Sequence, residues 1–133
     1  MSRSRSAALV AALALTATGA LATVSDQASA TSPYTVQTLH FAVTIGPANN
    51  MACDIVGDLY TPTAASPTNR VPAILTTNGF GGSKDDQAGI GAAAATNGYV
   101  VLSYSGLGFG GSGCKITLDD PDYDGKAASQ LID

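Results

Sequence analysis

Two glycine-rich segments and a handful of polar side chains hold the chain's chemical possibilities. The first segment, TNGFGGSKDD, runs from Thr77 to Asp86 between a strand pattern and a helix pattern. A glycine turn there points backbone N–H groups outward beside a helix N-terminus, an arrangement that accommodates negative charge. It is no Walker loop, because no Gly-Lys-Ser/Thr follows, and its plainer reading is a flexible turn. The second segment, GLGFGGSG, places Gly106, Gly108 and Gly111 in a G-x-G-x-x-G spacing. A dinucleotide loop runs straight into a helix, whereas SGCKITLDDPD follows here, so no nicotinamide cofactor is expected.

The remaining candidates are sparser. In DDPDYDG, Asp120, Asp122, Asp124 and Gly125 match positions one, three, five and six of a calcium loop. The twelfth position, which needs a bidentate Glu, is Leu131, so a solvated loop with a helix cap is the preferred reading. His40 is the one histidine and lies in a strand pattern with no partner motif near it, so it reads as a surface residue. Ser112, in Gly111-Ser112-Gly113, lacks the pattern of a nucleophile elbow. Cys53 and Cys114 either pair or remain two separate buried thiols. Two cysteines and one remote His do not make a zinc site. No metal and no cofactor are expected.

The elements that must position these residues follow from local patterning. YTVQTLHFAVTI, Tyr34 to Ile45, and CDIVGDLY, Cys53 to Tyr60, read as strands joined by the turn GPANN, hence a hairpin. VPAILTT, Val71 to Thr77, and YVVLSY, Tyr99 to Tyr104, are short apolar runs of the kind buried on both faces of a sheet. Gln87 to Thr96 is alanine-rich and helix-favouring, with Asp85 and Asp86 near its start and Asn97-Gly98 as its stop. Asp124 is expected to cap a last helix from Gly125 to Asp133. The order is an antiparallel hairpin and then strand–helix–strand, an α/β sheet with right-handed crossovers. With two parallel-type strands and one flanking helix it is an incomplete sheet, with uncovered faces and open edges.

Composition narrows the function. Of 133 residues 45% are hydrophobic and 12% charged, and the net charge of −4 comes with Asp as the only acidic type. A basic nucleic-acid-binding domain and a disordered tail are excluded, and nothing steers the chain toward a polyanion. Residues 1–30 read as a secretory signal peptide. Arg3 and Arg5 precede AALVAALALTATGALATV, and ASA follows at Ala28, Ser29 and Ala30. A membrane anchor is the alternative, opposed by the Thr, Gly and Ala that dilute the stretch. The mature chain would start near Thr31, be secreted, and have no membrane attachment after cleavage. Export favours a Cys53–Cys114 bridge, which would close a loop of about 60 residues and stabilise by about 4 kcal/mol.

Taken together, PAILTTNGFGGSKDD, a helix, GYVVLSYSGLGFGGSG and DDPDYDGKAASQLID resemble the N-terminal third of an α/β-hydrolase. The chain is most similar to the Xaa-Pro dipeptidyl-peptidase and cocaine-esterase group, and the resemblance covers about Thr35 to Asp133. It implies a serine hydrolase, peptidase or esterase, acting on a small ester or peptide. In such enzymes the loop after the third strand often reads His-Gly-x-Gly, and the residue after His-Gly donates its N–H to the oxyanion hole. Here the loop is Asn78-Gly79-Phe80-Gly81, so the resemblance implies Phe80 as that donor, with Asn78 in place of His. The loop after the fourth strand often carries Arg-Gly-x-Gly-x-Ser. Here Leu107 replaces that Arg.

No G-x-S-x-G occurs in the 133 residues. The resemblance implies that the elbow, the acid and the His follow the helix near Gly125, so no catalytic triad residue is expected in this chain. Residues 31–133 are expected to be the truncated N-terminal portion of a hydrolase domain, inactive alone. The competing expectation is a non-catalytic secreted module that binds a wall component or another chain. A third is an extracellular calcium-binding domain.

Overall fold

The computed structural model describes residues 31–133, and the signal-peptide segment, residues 1–30, lies outside them. Four strands form one mixed sheet in the order β1-β2-β4-β3. Strands β1 (Tyr34–Ile45) and β2 (Met51–Pro62) make the expected hairpin, in a register that runs from Tyr34 opposite Pro62 to Ile45 opposite Met51. The turn between them uses Gly46 and Asn49 at positive φ, and Asn49 N–H donates to the Gly46 carbonyl at 3.0 Å. Strand β4 (Val100–Tyr104) sits inside the sheet, antiparallel to β2 and parallel to β3 (Ala73–Thr77). Helix α1 (Ala88–Thr96) makes the crossover from β3 to β4.

The two apolar runs have different fates. Strand β4 is buried on both faces, as its composition predicts. Strand β3 is half-buried, because β4 pairs only one of its edges and no other described strand pairs the second. The expectation that both strands are buried on both faces therefore holds for β4 alone. An apolar run reports a capacity for burial, and position in the sheet decides how much is used.

The alternation of side chains divides the core. On one face Tyr60, Val101 and Ala95 form a buried cluster beneath α1, with Tyr34, Ile74 and Ala94 at its margin. Gly91 makes the close approach possible. A Cβ there would lie 2.7 Å from the Tyr60 ring. On the opposite face Val43, Ile45, Cys53, Ile55, Leu107 and Ala127 form a second cluster, flanked by Phe41, Tyr104, Tyr123 and Leu131. Ala127 belongs to α2 (Lys126–Gln130), so a helix packs on each face of the sheet, where the sequence pattern predicts one flanking helix and uncovered faces. Beside that cluster an apolar groove of about 300 Å³ is lined by Leu39, Leu59, Leu75 and Leu102.

The last helical segment departs from expectation. It begins at Pro121 with a π turn (Pro121–Gly125), capped by Asp120, whose side chain accepts the Asp122 N–H at 2.9 Å. Proline suits the first helical position because its φ is already set and it has no N–H to satisfy. Asp124 is thus inside the helical run and not its cap, and α2 ends at Gln130. Lys126 fastens this segment to the hairpin. Its Nζ lies 2.7 Å from the Gly46 carbonyl and 2.9 Å from Asp122 Oδ1. Among the described residues no helix is long and apolar enough to cross a membrane.

Candidate functional site: the cleft between two glycine loops

Both glycine segments emerge at the same end of the sheet, the C-terminal ends of the parallel strands β3 and β4. Ligands of open α/β sheets bind outside that end. A cleft of about 340 Å³ opens there, walled by Asn78, Gly79 and Phe80 from the first loop and Gly106, Leu107 and Phe109 from the second. Thr77, Tyr104 and the segment Thr117–Asp119 also line it, with Asp124 and Ala127 from the last helical run. Burial pushes the Tyr104 phenol above its ordinary 10.0, so it stays a neutral group at physiological pH.

The first loop starts with a side-chain tie. Asn78 Oδ1 accepts the Gly106 N–H at 2.8 Å, and Asn78 Nδ2 donates to the Gly79 carbonyl at 2.7 Å. Gly81 takes a positive φ of 81°, and Gly82 N–H closes the turn on the Gly79 carbonyl at 3.1 Å. Between these bonds the N–H groups of Gly79, Phe80 and Gly81 donate to no acceptor among the described residues. Phe80 is 80% exposed, and its ring meets the Phe109 ring edge-on, centroids 5.7 Å apart. The loop ends in a capping box at Ser83, which accepts from backbone N–H while Asp86 Oδ2 accepts the Ser83 N–H at 3.2 Å. The helical run therefore starts at Ser83, earlier than expected, through the single turn Lys84–Gln87 that precedes α1.

The second loop is laid along β2. Ser105 N–H donates to the Val56 carbonyl at 2.9 Å, and Gly113 N–H to the Asp54 carbonyl at 2.7 Å. Ser112 fills the gap between them. Its hydroxyl donates to the Ser105 carbonyl at 2.7 Å and accepts the Val56 N–H at 3.0 Å. Both roles of that hydroxyl are spent on backbone, so Ser112 is a structural residue. Leu107, standing where the resemblance has an arginine, is 2% exposed and packs in the cluster with Ile45 and Ile55. The position is apolar core here, and no ion pair is made from it. Cys53 and Cys114 are disulfide-bonded, with Cα atoms 5.8 Å apart, which fixes the far end of the loop to β2.

Sequence reasoning missed a group that holds these loops together. Asp58, 8% exposed, lies on β2 among apolar neighbours. Lys84 Nζ reaches its Oδ2 at 2.8 Å, and the Thr38 hydroxyl donates to its Oδ1 at 2.7 Å. The hydrogen bond to Asp58, and then that to Asp85, holds the Lys84 ammonium above its ordinary 10.5. The backbone of Lys84 is also engaged. Its N–H donates to Ser105 Oγ at 2.9 Å and its carbonyl accepts from Ser103 Oγ at 2.7 Å. Ser105 Oγ donates onward to the Gly110 carbonyl at 3.2 Å, so one hydroxyl links both loops. A signal existed, because Asp58 shares strand parity with the inward-facing Val56 and Tyr60. A carboxylate on that face needs a partner.

The other candidates resolve into structural roles. His40 has a partner after all. Its Nδ1 lies 2.7 Å from Asp54 Oδ2 across the hairpin, on an exposed part of the sheet. Antiparallel pairing brings the two within reach, which sequence distance concealed. In the calcium-like segment Asp120 caps, Asp122 pairs with Lys126, and Asp124 Oδ2 accepts the Asp120 N–H at 3.2 Å. Among the described residues no three His, Cys, Asp or Glu side chains gather as a metal cluster.

No protein-family model matches the chain, and no curated protein matches it. Solved structures do. A hypothetical protein from Pseudomonas aeruginosa superposes with a TM-score of 0.59 at 23% identity, over 77% of this chain and 30% of that one. Acetyl xylan esterase 1 from a Thermoanaerobacterium species superposes more loosely, with a TM-score of 0.44 at 19% identity, over 77% of this chain and 32% of that one. The first likeness is one of fold. The chain spans about a third of the length of either structure. The class defined by fold and cleft is thus an α/β protein whose glycine loops flank a cleft at the carboxyl end of its parallel strands.

Proposed function

We propose that residues 31–133 form the N-terminal part of a serine hydrolase domain of the α/β-hydrolase type, cleaving a small ester or peptide in a secreted protein. The observation that carries this reading is the loop after β3. It leaves the Phe80 N–H without an acceptor beside the cleft, just before the first helix of the sheet. In this fold one oxyanion donor comes from the loop between the third strand and the first helix, and the other follows the nucleophile. The Phe80 N–H has the chemistry to be the first donor. It would stabilise the oxygen that becomes negative when an acyl group is attacked.

Among the described residues, neither candidate for an attacking site supplies the group. Ser112 is occupied by backbone, and the His40–Asp54 pair has no serine or cysteine bonded to the imidazole. The nucleophile, acid and base would come from chain beyond Asp133, consistent with the resemblance to the Xaa-Pro dipeptidyl-peptidase and cocaine-esterase group. The test is the coding sequence downstream of codon 133. A reading frame that continues into G-x-S-x-G, with a later Asp and His, is the expected result. A stop codon at that point would overturn the hydrolase reading and leave a binding module, whose hallmark is a cooperative thermal transition of the chain by itself.

A further inference from the structure

The Phe80 loop has little to hold it in place by itself. It contains Gly79, Gly81 and Gly82, and nothing lies within 4 Å of where a Cβ would stand at Gly79 or Gly81. Glycine-rich backbone without packing samples many conformations. An oxyanion donor, in contrast, acts through a fixed direction. Something outside the loop has to set it.

The structure anchors the loop at both ends. At its start Asn78 binds Gly106. At its finish Lys84 is bonded through its N–H, its carbonyl and its ammonium to Ser105, Ser103 and Asp58. Through Asp58 the anchor extends to Thr38 on β1. Bonds to an ionised partner in a site largely closed to water are stronger than neutral ones. Neither Lys84 nor Asp58 lines the cleft. We infer that Lys84 and Asp58 are positioning residues for the Phe80 loop, their ion pair fixing where the Phe80 N–H points without touching substrate. This inference rests on the oxyanion reading above for its catalytic part, and on geometry alone for its anchoring part.

The experiment uses the protein expressed from its complete reading frame, with p-nitrophenyl acetate as substrate probe and hydrogen exchange of the bonded amides of Gly82, Ser83 and residue 84 as a second readout. Lys84→Met alone strands a buried carboxylate and risks the fold. The double variant Asp58→Asn with Lys84→Met removes both charges together and keeps the fold testable. Lys84→Arg is the conservative control. The double variant is expected to keep its cooperative thermal transition, to exchange the hydrogen-bonded amides of Gly82, Ser83 and residue 84 about tenfold faster, and to lose about tenfold in kcat with KM nearly unchanged. Lys84→Arg is expected to recover part of both effects. A folded double variant with unchanged exchange overturns the inference, whatever its kcat. If the unsubstituted protein does not hydrolyse the ester, the oxyanion reading fails by itself. The anchoring claim is then still decided by exchange.

Discussion

Asn78 Oδ1 accepts the backbone N–H of Gly106 at 2.8 Å, so the loop after β3 and the loop after β4 are joined at their bases by one side chain. The same amide closes on the Gly79 carbonyl. The Asn that stands where the resemblance has His is therefore a hinge pin between the two walls of the cleft.

Asn78→Ala removes both bonds and leaves the half-buried Gly106 N–H without its partner. The expected cost is about 1–3 kcal/mol of stability, read as a lower denaturant midpoint at unchanged slope. Asn78→Asp keeps an acceptor for Gly106 and is expected to cost less. Equal losses in the two variants would show that the Gly106 bond is not the one that matters.

The Lys84–Asp58 pair predicts a stability loss at high pH. The Lys84 pKa is raised in the folded state, so its contribution is fully present below the ordinary 10.5 and fades as pH rises through the folded value. Burial raises Tyr60 and Tyr104 above 10.0, and ionising them in the unfolded chain works in the same direction. The Asp58→Asn, Lys84→Met double variant should lose less stability than the unsubstituted chain as pH rises past the ordinary lysine value of 10.5. Identical pH profiles would contradict the pair's role. Lys84→Met alone is expected to destabilise by about 3–5 kcal/mol, because a largely buried carboxylate loses its cation.

Gly91→Ala offers a sign test for the seating of α1. Helix propensity alone favours alanine by about 1 kcal/mol. The added Cβ, however, would stand 2.7 Å from the Tyr60 ring. The expected net result is destabilisation by about 1–3 kcal/mol. Tyr60→Phe with Gly91→Ala should behave the same, since the ring is the obstacle. A stabilised Gly91→Ala chain would mean that α1 sits further from the sheet.

Replacing Cys53 and Cys114 together by alanine removes the covalent tie between the far end of the second loop and β2. The bridge spans a separation of 61 residues. Its removal is expected to cost about 4 kcal/mol in thermal or denaturant unfolding. Reduction of the native chain should produce the same shift. A shift below about 1 kcal/mol would show that the backbone bonds of Gly113 and Ser105 to β2 suffice alone.

Much of the scaffold was legible because local rules govern it. The hairpin followed from alternation and GPANN, and α1 from its alanine run and Asn97-Gly98 stop. Both loops were found as glycine clusters. What sequence could not reveal depended on pairing across the sheet. The half-burial of β3 follows from its edge position, and the partners of His40 and Asp58 follow from hairpin register and from the entry of Lys84 into the α1-side layer. The misplaced cap shows a different limit. Asp120 and Asp124 are both good caps by type, and only the Pro121 geometry chooses between them.

The central claim is that the cleft completes a serine hydrolase site whose nucleophile lies outside residues 31–133. The most direct test is to treat the protein expressed from its complete reading frame with a fluorophosphonate and locate the modified serine by peptide mass. One labelled serine, within a G-x-S-x-G beyond Asp133, is the predicted result. A label on Ser112, or no labelled serine at all, would contradict the account.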